Sequence, residues 1–380
     1  MSDILQITII LIASLIATIC SKRLKIPAVV GQMLVGIILS PSVLNWIHGG
    51  QTIEVLSEIG VILLMFLAGI ESDLSLLKKN FKFSMLVAIA GVIGPLIVFW
   101  LVAQILNYTL TASFFYGIVF AATSVSITVE VLQEYGKLST KAGSIILGAA
   151  VVDDILAIFL LSIFSSTQEG NANLIVKFGL EILFFLFLFL FHRILPRLWK
   201  FVEMIPVYAK HTTVALILCL SLSLLATAVG MSAVIGAFFV GLAVSQTELS
   251  HKIEEYTSVI GYVVFIPVFF VSIATSVRLD SVLKSPMIIL LFVILGVLTK
   301  FLPVYLTSRA LKLNHQDSLL IGTGMISRGE MALIVAQIGL AASIISHDLY
   351  SELVIVIILV TLLAPFFMKL AIKSKAKDRH

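Results

Sequence analysis

Charge is what this chain most lacks. Only 12% of its residues are Asp, Glu, Lys or Arg, about half the usual share of a soluble domain. That excludes an ordinary soluble enzyme or a nucleic-acid-binding domain. Cysteine is scarce as well: Cys20 and Cys219 both fall in apolar runs and supply no disulfide framework. Strict apolar–polar alternation is missing, which argues against a transmembrane β-barrel. The start, Met1-Ser2-Asp3, has no basic region and no small-residue cleavage site follows, so the first apolar run reads as a retained helix. The tail from Lys373 to His380 comes soon after the last apolar run, and no soluble regulatory domain is expected there. No phosphate-binding loop, nucleophile elbow or zinc motif appears. The histidines His48, His192, His211, His251, His315 and His347 sit in loops or at the edges of apolar runs, without metal spacing. The expectation is a protein that is not an enzyme and needs no bound cofactor.

What is present is hydrocarbon. Hydrophobic residues make up 60% of the chain and the mean hydropathy is +1.14, the composition of an all-α polytopic membrane protein. Thirteen apolar segments can be read, near 4–20, 27–44, 53–70, 83–106, 112–132, 142–165, 174–195, 212–229, 231–247, 257–277, 286–308, 318–343 and 350–370. Lys and Arg crowd alternate connections: Lys22, Arg23 and Lys25; Lys78, Lys79 and Lys82; Lys137 and Lys141; Arg193, Arg197, Lys200 and Lys210; Lys252; Arg309 and Lys312. The other connections hold only Lys177, Arg278 and Lys284. The positive-inside rule then predicts a multi-pass protein of the cytoplasmic membrane, embedded in lipid, with its N-terminus outside and its C-terminus in the cytoplasm. The net charge of +4 is mostly this topological asymmetry.

Two stretches resemble each other. Val30-Gly31 to Gly36 and Ser40 has the glycine spacing of Ile235-Gly236 to Gly241 and Ser245, at an offset of about 205 residues. That offset spans seven segments, an odd number, so the copies have opposite topology. Inverted repeats are the mark of alternating-access transporters, whose sites lie at the repeat interface.

Four polar clusters sit where lipid should forbid them. Asp153 and Asp154 are adjacent in an apolar run from about Gly143 to Phe164. They lie about 10 residues, or about 15 Å, from either end, and ionised carboxyls at that depth cost at least several kcal/mol unless paired, hydrated or protonated. Neighbours on a helix point about 100° apart, so one faces a cavity and the other a partner. Lys300 lies too deep in its segment to snorkel; it either pairs with one aspartate or titrates. The stretch Gly322-Thr323-Gly324-Met325-Ile326-Ser327-Arg328-Gly329-Glu330 makes a poor helix interior and reads as a broken helix lining a polar cavity. Ala121-Ala122-Thr123-Ser124-Val125-Ser126-Ile127-Thr128 precedes Ser327 and Arg328 by about the repeat offset, so two discontinuous helices meet at one depth.

With these residues in view the chain resembles the bacterial monovalent cation:proton antiporters, most closely the NapA-type sodium/proton antiporters of the second cation:proton antiporter family. The resemblance runs through Gly31 to Ser40, Leu64 to Gly69, Ala122 to Ser126, Asp153-Asp154, Lys300 and Arg328-Gly329-Glu330. It implies thirteen transmembrane helices with inverted repeats, the fifth and twelfth broken and crossing. It also implies a homodimer, with a dimerisation domain (approximately 4–70 plus 212–277), a linker helix (174–195) and a mobile core (approximately 83–165 plus 286–370). By this likeness Asp154 binds the transported sodium or the proton, and Thr123 and Ser124 sit at the helix break beside it. Asp153 pairs with Lys300, and Arg328 and Glu330 organise the broken region. The implied function is exchange of sodium, or lithium, for protons by elevator-type alternating access, in the service of pH homeostasis. The runner-up is potassium/proton exchange on the same scaffold. A cation channel fits less well, because charge is concentrated at a single depth. Adjacent aspartates cannot face one scissile bond as an intramembrane protease would need.

Overall fold

The computed structural model describes residues 2–24, 27–169, 174–204, 206–275, 286–341 and 344–377. Lys25, Arg278 and Lys284 of the charge pattern lie outside them, as do the side chains of Lys177, His192, Glu330 and His347. The described residues are helical: α1 (Asp3–Leu24), α2 (Ala28–Leu39), α3 (Gln51–Ile70), α4 (Leu74–Ile105), α5 (Leu110–Ala121), α6 (Val125–Glu134), α7 (Lys141–Glu169), α8 (Leu174–Val202), α9 (Lys210–Ala228), α10 (Ala233–Val244), α11 (Ser250–Ile260), a π-helical turn (Gly261–Phe265), α12 (Ile266–Thr275), α13 (Pro286–Ala310), α14 (His315–Gly324), α15 (Glu330–Ala341) and α16 (His347–Lys377). Each apolar segment of the sequence carries helix. Among the described residues, eight spans are long and apolar enough to cross a membrane, the α5–α6 pair counting as one of them.

Local chemistry sets several helix starts. Asp73 caps α4, accepting from the amides of Ser75 at 2.7 Å and Leu76 at 3.2 Å. The Ser75 hydroxyl and these amides hold its pKa below the ordinary carboxylate value. Thr109 caps α5 through the Ala112 amide at 3.2 Å, and Asn314 caps α14 through the Asp317 amide at 2.6 Å.

The helices pack in two groups. In one, α10 lies on α3 and α9, α12 lies on α2 and α3, and α1 lies on α2. In the other, α4 holds α5, α7 and α13, and α14 and α16 pack on α13. Helix α8 touches α7 of the second group and α9 and α10 of the first. The like stretches of the sequence play like parts. A Cβ at Gly31 of α2 would lie 2.9 Å from the Ala17 carbonyl of α1, and one at Gly236 of α10 would lie 2.3 Å from the Leu222 carbonyl of α9. In both places glycine lets a short helix sit against the backbone of the helix before it.

The two stretches read as poor helix interiors are where helix stops. Residues 122–124 separate α5 from α6, and residues 325–329 separate α14 from α15. The α5–α6 segment is wholly buried across its most apolar window, whereas α1 and α4 are about one-third buried in theirs. Broken helix is tolerable at membrane depth only when protein surrounds it, since lipid satisfies no backbone polar group.

Candidate ion-binding site at the crossing helix breaks

The breaks cross and bond to each other. The Ser124 amide donates to the Ser327 carbonyl at 3.0 Å, and the Ser327 hydroxyl donates back to the Ser124 carbonyl at 2.5 Å. Thr128 Oγ1 donates to the Gly324 carbonyl at 2.7 Å and lies 2.9 Å from Ser327 Oγ. Backbone groups freed by unwinding are thus satisfied by the opposite break. The hydroxyls are what make the crossing possible, as valine there would leave carbonyls unpaired.

Each broken helix points its carbonyl end at this crossing and is met by a cation. Lys300, on α13, donates from Nζ to the Ala121 carbonyl at 2.7 Å. Arg328 donates from Nη1 to the Met325 carbonyl at 3.3 Å and from Nη2 to the Gly296 carbonyl of α13 at 3.4 Å. The Arg328 carbonyl in turn accepts from the Thr361 hydroxyl of α16. The negative end of a helix dipole favours a nearby positive charge. Both cations are completely buried, which requires counter-charge.

Asp153 supplies it. Its carboxylate lies 3.1 Å from Lys300 Nζ through Oδ1 and 3.4 Å through Oδ2, with both side chains fully buried. Arg328 feels the same carboxylate, and Lys300 also feels Asp154. Asp153, Lys300 and Arg328 are each completely buried. Of the two aspartates open to it in sequence, Lys300 takes Asp153 as its partner.

Asp154 points elsewhere. It is 6% exposed and lines a small cavity with Val125, Leu147, Ala150 and Val151 from α6 and α7, facing Met65 of α3 and Val234, Ile235 and Phe238 of α10. The other lining residues are apolar, and they come from both helix groups. Thr123 is 4% exposed, and its hydroxyl has no hydrogen-bond partner among the described residues, a donor set open to a ligand. Ser124 lies at the crossing, 2.9 Å from the Ser126 hydroxyl. Glu330 opens α15, but its side chain lies outside what is described. Sequence reading missed Thr361, a single hydroxyl in an apolar run, and it missed the Ala121 and Gly296 carbonyls, which no side-chain pattern reveals. It also missed the cavity wall from α3 and α10, whose residues look like ordinary core.

The arrangement is a titratable carboxylate in a low-dielectric cavity, backed by neutralised helix ends: a place for a proton or a small cation. Comparison with known proteins gives the same class. A sodium/hydrogen antiporter of Enterococcus hirae is 44% identical over 95% of this chain and 96% of its own length. A sodium/hydrogen–potassium antiporter of Bacillus cereus is 36% identical over 98% of this chain and 97% of its own. The structure of a sodium proton antiporter from Methanocaldococcus jannaschii superposes with a TM-score of 0.68 over 97% of each chain, at 18% identity, and shares the fold. Residues 9–372 match the transmembrane sodium/hydrogen exchanger family, and the chain belongs to that family.

Proposed function

We propose that this protein exchanges sodium, or lithium, for protons across the cytoplasmic membrane, with Asp154 as the shared site. The observation that carries the reading is the position of Asp154: a carboxylate lining an otherwise apolar cavity between two helix groups. Sodium and a proton compete for that carboxylate. A bare charge in the barrier is disfavoured, so the group moves mainly when loaded, and that restriction alone couples the two fluxes. Thr123 and Ser124 complete the coordination, and Lys300, Asp153, Arg328 and Glu330 hold the crossing in shape. The step is binding and movement, with no covalent chemistry.

In this reading α4–α7 and α13–α16 form the moving core, α1–α3 and α9–α12 form a dimerisation scaffold, and α8 links them, so that the core travels as an elevator. The chain crosses the membrane thirteen times as inverted repeats, the Lys-rich ends facing the cytoplasm and the N-terminus outside. Potassium is the second candidate cation, favoured by the name of the Bacillus cereus relative.

Purified protein in vesicles with an imposed pH gradient tests the proposal. Addition of sodium should dissipate the gradient, and lithium and potassium rank the selectivity. Dissipation independent of any added cation would mean a leak or a channel. For the topology, cysteines placed at Ser139 and His192 should be labelled from the cytoplasmic side and one at Gln168 from outside; labelling of positions 139 and 168 from one side removes the thirteen-crossing arrangement.

A further inference from the structure

From Val125 at the Asp154 cavity, α6 runs eight residues to Gln133, a rise of about 12 Å. At that end it is tied to the opposite helix group by side chains. Glu134 Oε2 accepts from the Ala28 amide at 2.9 Å, capping α2, whose own N-cap residue Pro27 offers no side-chain bond. Gln133 Nε2 donates to Glu71 Oε1, just past α3, at 2.8 Å. Gln133 Oε1 accepts from the Tyr262 hydroxyl at 3.2 Å. Tyr262 stands on the π-helical turn Gly261–Phe265, a local irregularity common at functional positions. Ser139, in the loop after α6, donates its hydroxyl to the Glu71 carbonyl at 3.0 Å. One turn of α6 and the loop beyond it thus hold three elements of the other group.

We infer that Gln133 and Glu134 are positioning residues of the transport cycle: they latch core to scaffold between the Asp154 cavity and the Lys-rich side, and the latch must release before Asp154 opens to that side. The inference deepens the antiport reading and rests on its division into core and scaffold.

The latch is built to respond to protons. Glu71 is partly buried among carboxylates: Glu254 of α11 faces it, and Glu130 of α6 feels Glu71, Glu134 and the Tyr262 hydroxyl. Burial pushes the Glu71 carboxyl up from 4.5 to about 7, against the opposing pull of the Gln133 hydrogen bond and with Glu254 adding to the rise. When the groups part, Glu71 is hydrated and moves away from the α6 carboxylates, so its pKa falls back toward the ordinary value. A proton therefore binds the latched form more tightly and favours it. That preference is full below about 4.5 and is lost as pH rises to about 7, by up to tenfold per pH unit in between.

The test reads accessibility, which needs no transport. Cys20 and Cys219 are replaced by Ser, and Val151→Cys places a thiol on the cavity wall. A membrane-impermeant thiosulfonate is then applied to vesicles with the Lys-rich side outward. Thiosulfonates react with the thiolate, whose fraction rises with pH in every variant, so each rate is divided by that of the Glu71→Gln protein at the same pH; the background ratio should climb between pH 5 and pH 7. Gln133→Ala should raise it roughly tenfold at pH 5, the worth of one to two hydrogen bonds. Glu71→Gln, which mimics the protonated carboxyl and keeps an acceptor for Gln133, should label more slowly than the background by a margin that widens as pH rises, leaving only the climb of the thiolate fraction. Tyr262→Phe removes one bond, is the mildest change to folding, and should give a rise of about twofold to fivefold at pH 5. Labelling rates that are equal at each pH in the background, Glu71→Gln and Tyr262→Phe proteins, rising only with the thiolate fraction, overturn the latch, whatever Gln133→Ala does to folding. An absence of sodium-driven proton flux alongside the expected labelling pattern would instead overturn the antiport reading and leave the latch standing.

Discussion

The two helix breaks solve the same problem with different cations. At residues 122–124 the carbonyl end of α5 is met by Lys300 from another helix, which is shared with Asp153. At residues 325–329 the carbonyl end of α14 is met by Arg328 from within its own break, clamped onto Gly296. A lysine shifts its pKa readily when buried, whereas a guanidinium stays protonated. The first break is thus wired to an ion pair, and Asp154 adjoins its carboxylate in sequence. The second carries a permanent charge and braces the crossing. The proposed exchange thus assigns chemistry to the first break and support to the second.

Loss of Asp154 should break the contrast most completely. Asp154→Asn keeps shape and removes the charge and the proton. It should fold, reach the membrane and show no sodium/proton exchange at any pH in vesicles. In the unaltered protein, apparent sodium affinity should weaken by up to tenfold per pH unit below the site's pKa, the limit for one competing proton. A well-folded Asp154→Asn protein exchanging at near the original rate would move the site away from the first break.

Next comes the pair behind it. Lys300→Ala leaves Asp153 buried without its ammonium and should cost about 3–5 kcal/mol in thermal or denaturant unfolding. Adding Asp153→Asn should recover much of that loss. A double variant no more stable than either single one would dissolve the partnership and make the first break as self-contained as the second.

The second break should respond in stability and not in titration. Arg328→Lys keeps the charge but cannot span Met325 and Gly296, and should cost about 1.5–3 kcal/mol, the worth of a charged hydrogen bond, with the midpoint of the pH–activity curve unmoved. Thr361→Val, which deletes the bond to the Arg328 carbonyl, should cost about 1 kcal/mol with the same unmoved midpoint. A shifted midpoint in either would show that the bracing break takes part in proton chemistry.

Much of this was legible in the residues. Asp153-Asp154 and Lys300 stood out because charge at mid-span is costly, and Gly322 to Glu330 because glycine and hydroxyl residues do not sustain a helix in lipid. Both stretches are broken where they were read as broken. Thr123 and Ser124 were legible as members of a cluster, but Thr128 and Ser327 as the braces of the crossing were not, since hydroxyls in membrane helices commonly bond to their own helix. Gln133, Glu71 and Tyr262 were invisible as a set. Each sits near the end of an apolar run, where polar residues are ordinary, and they are 62 and 129 residues apart along the chain as bonded pairs.

Where helices form, where they must break and how deep the costly charges lie could be read from neighbouring residues alone. These follow from hydropathy, from local conformational preference and from the price of burying charge, all of which act within a dozen or so residues. Tertiary structure alone decided the pairings. Lys300 pairs with Asp153, the two breaks satisfy each other's backbone, and Asp154 faces α3 and α10 across a cavity. The reason is range: an ion pair, a hydrogen bond or a cavity wall is set by distances of a few ångströms between residues far apart along the chain, and only packing brings those atoms together.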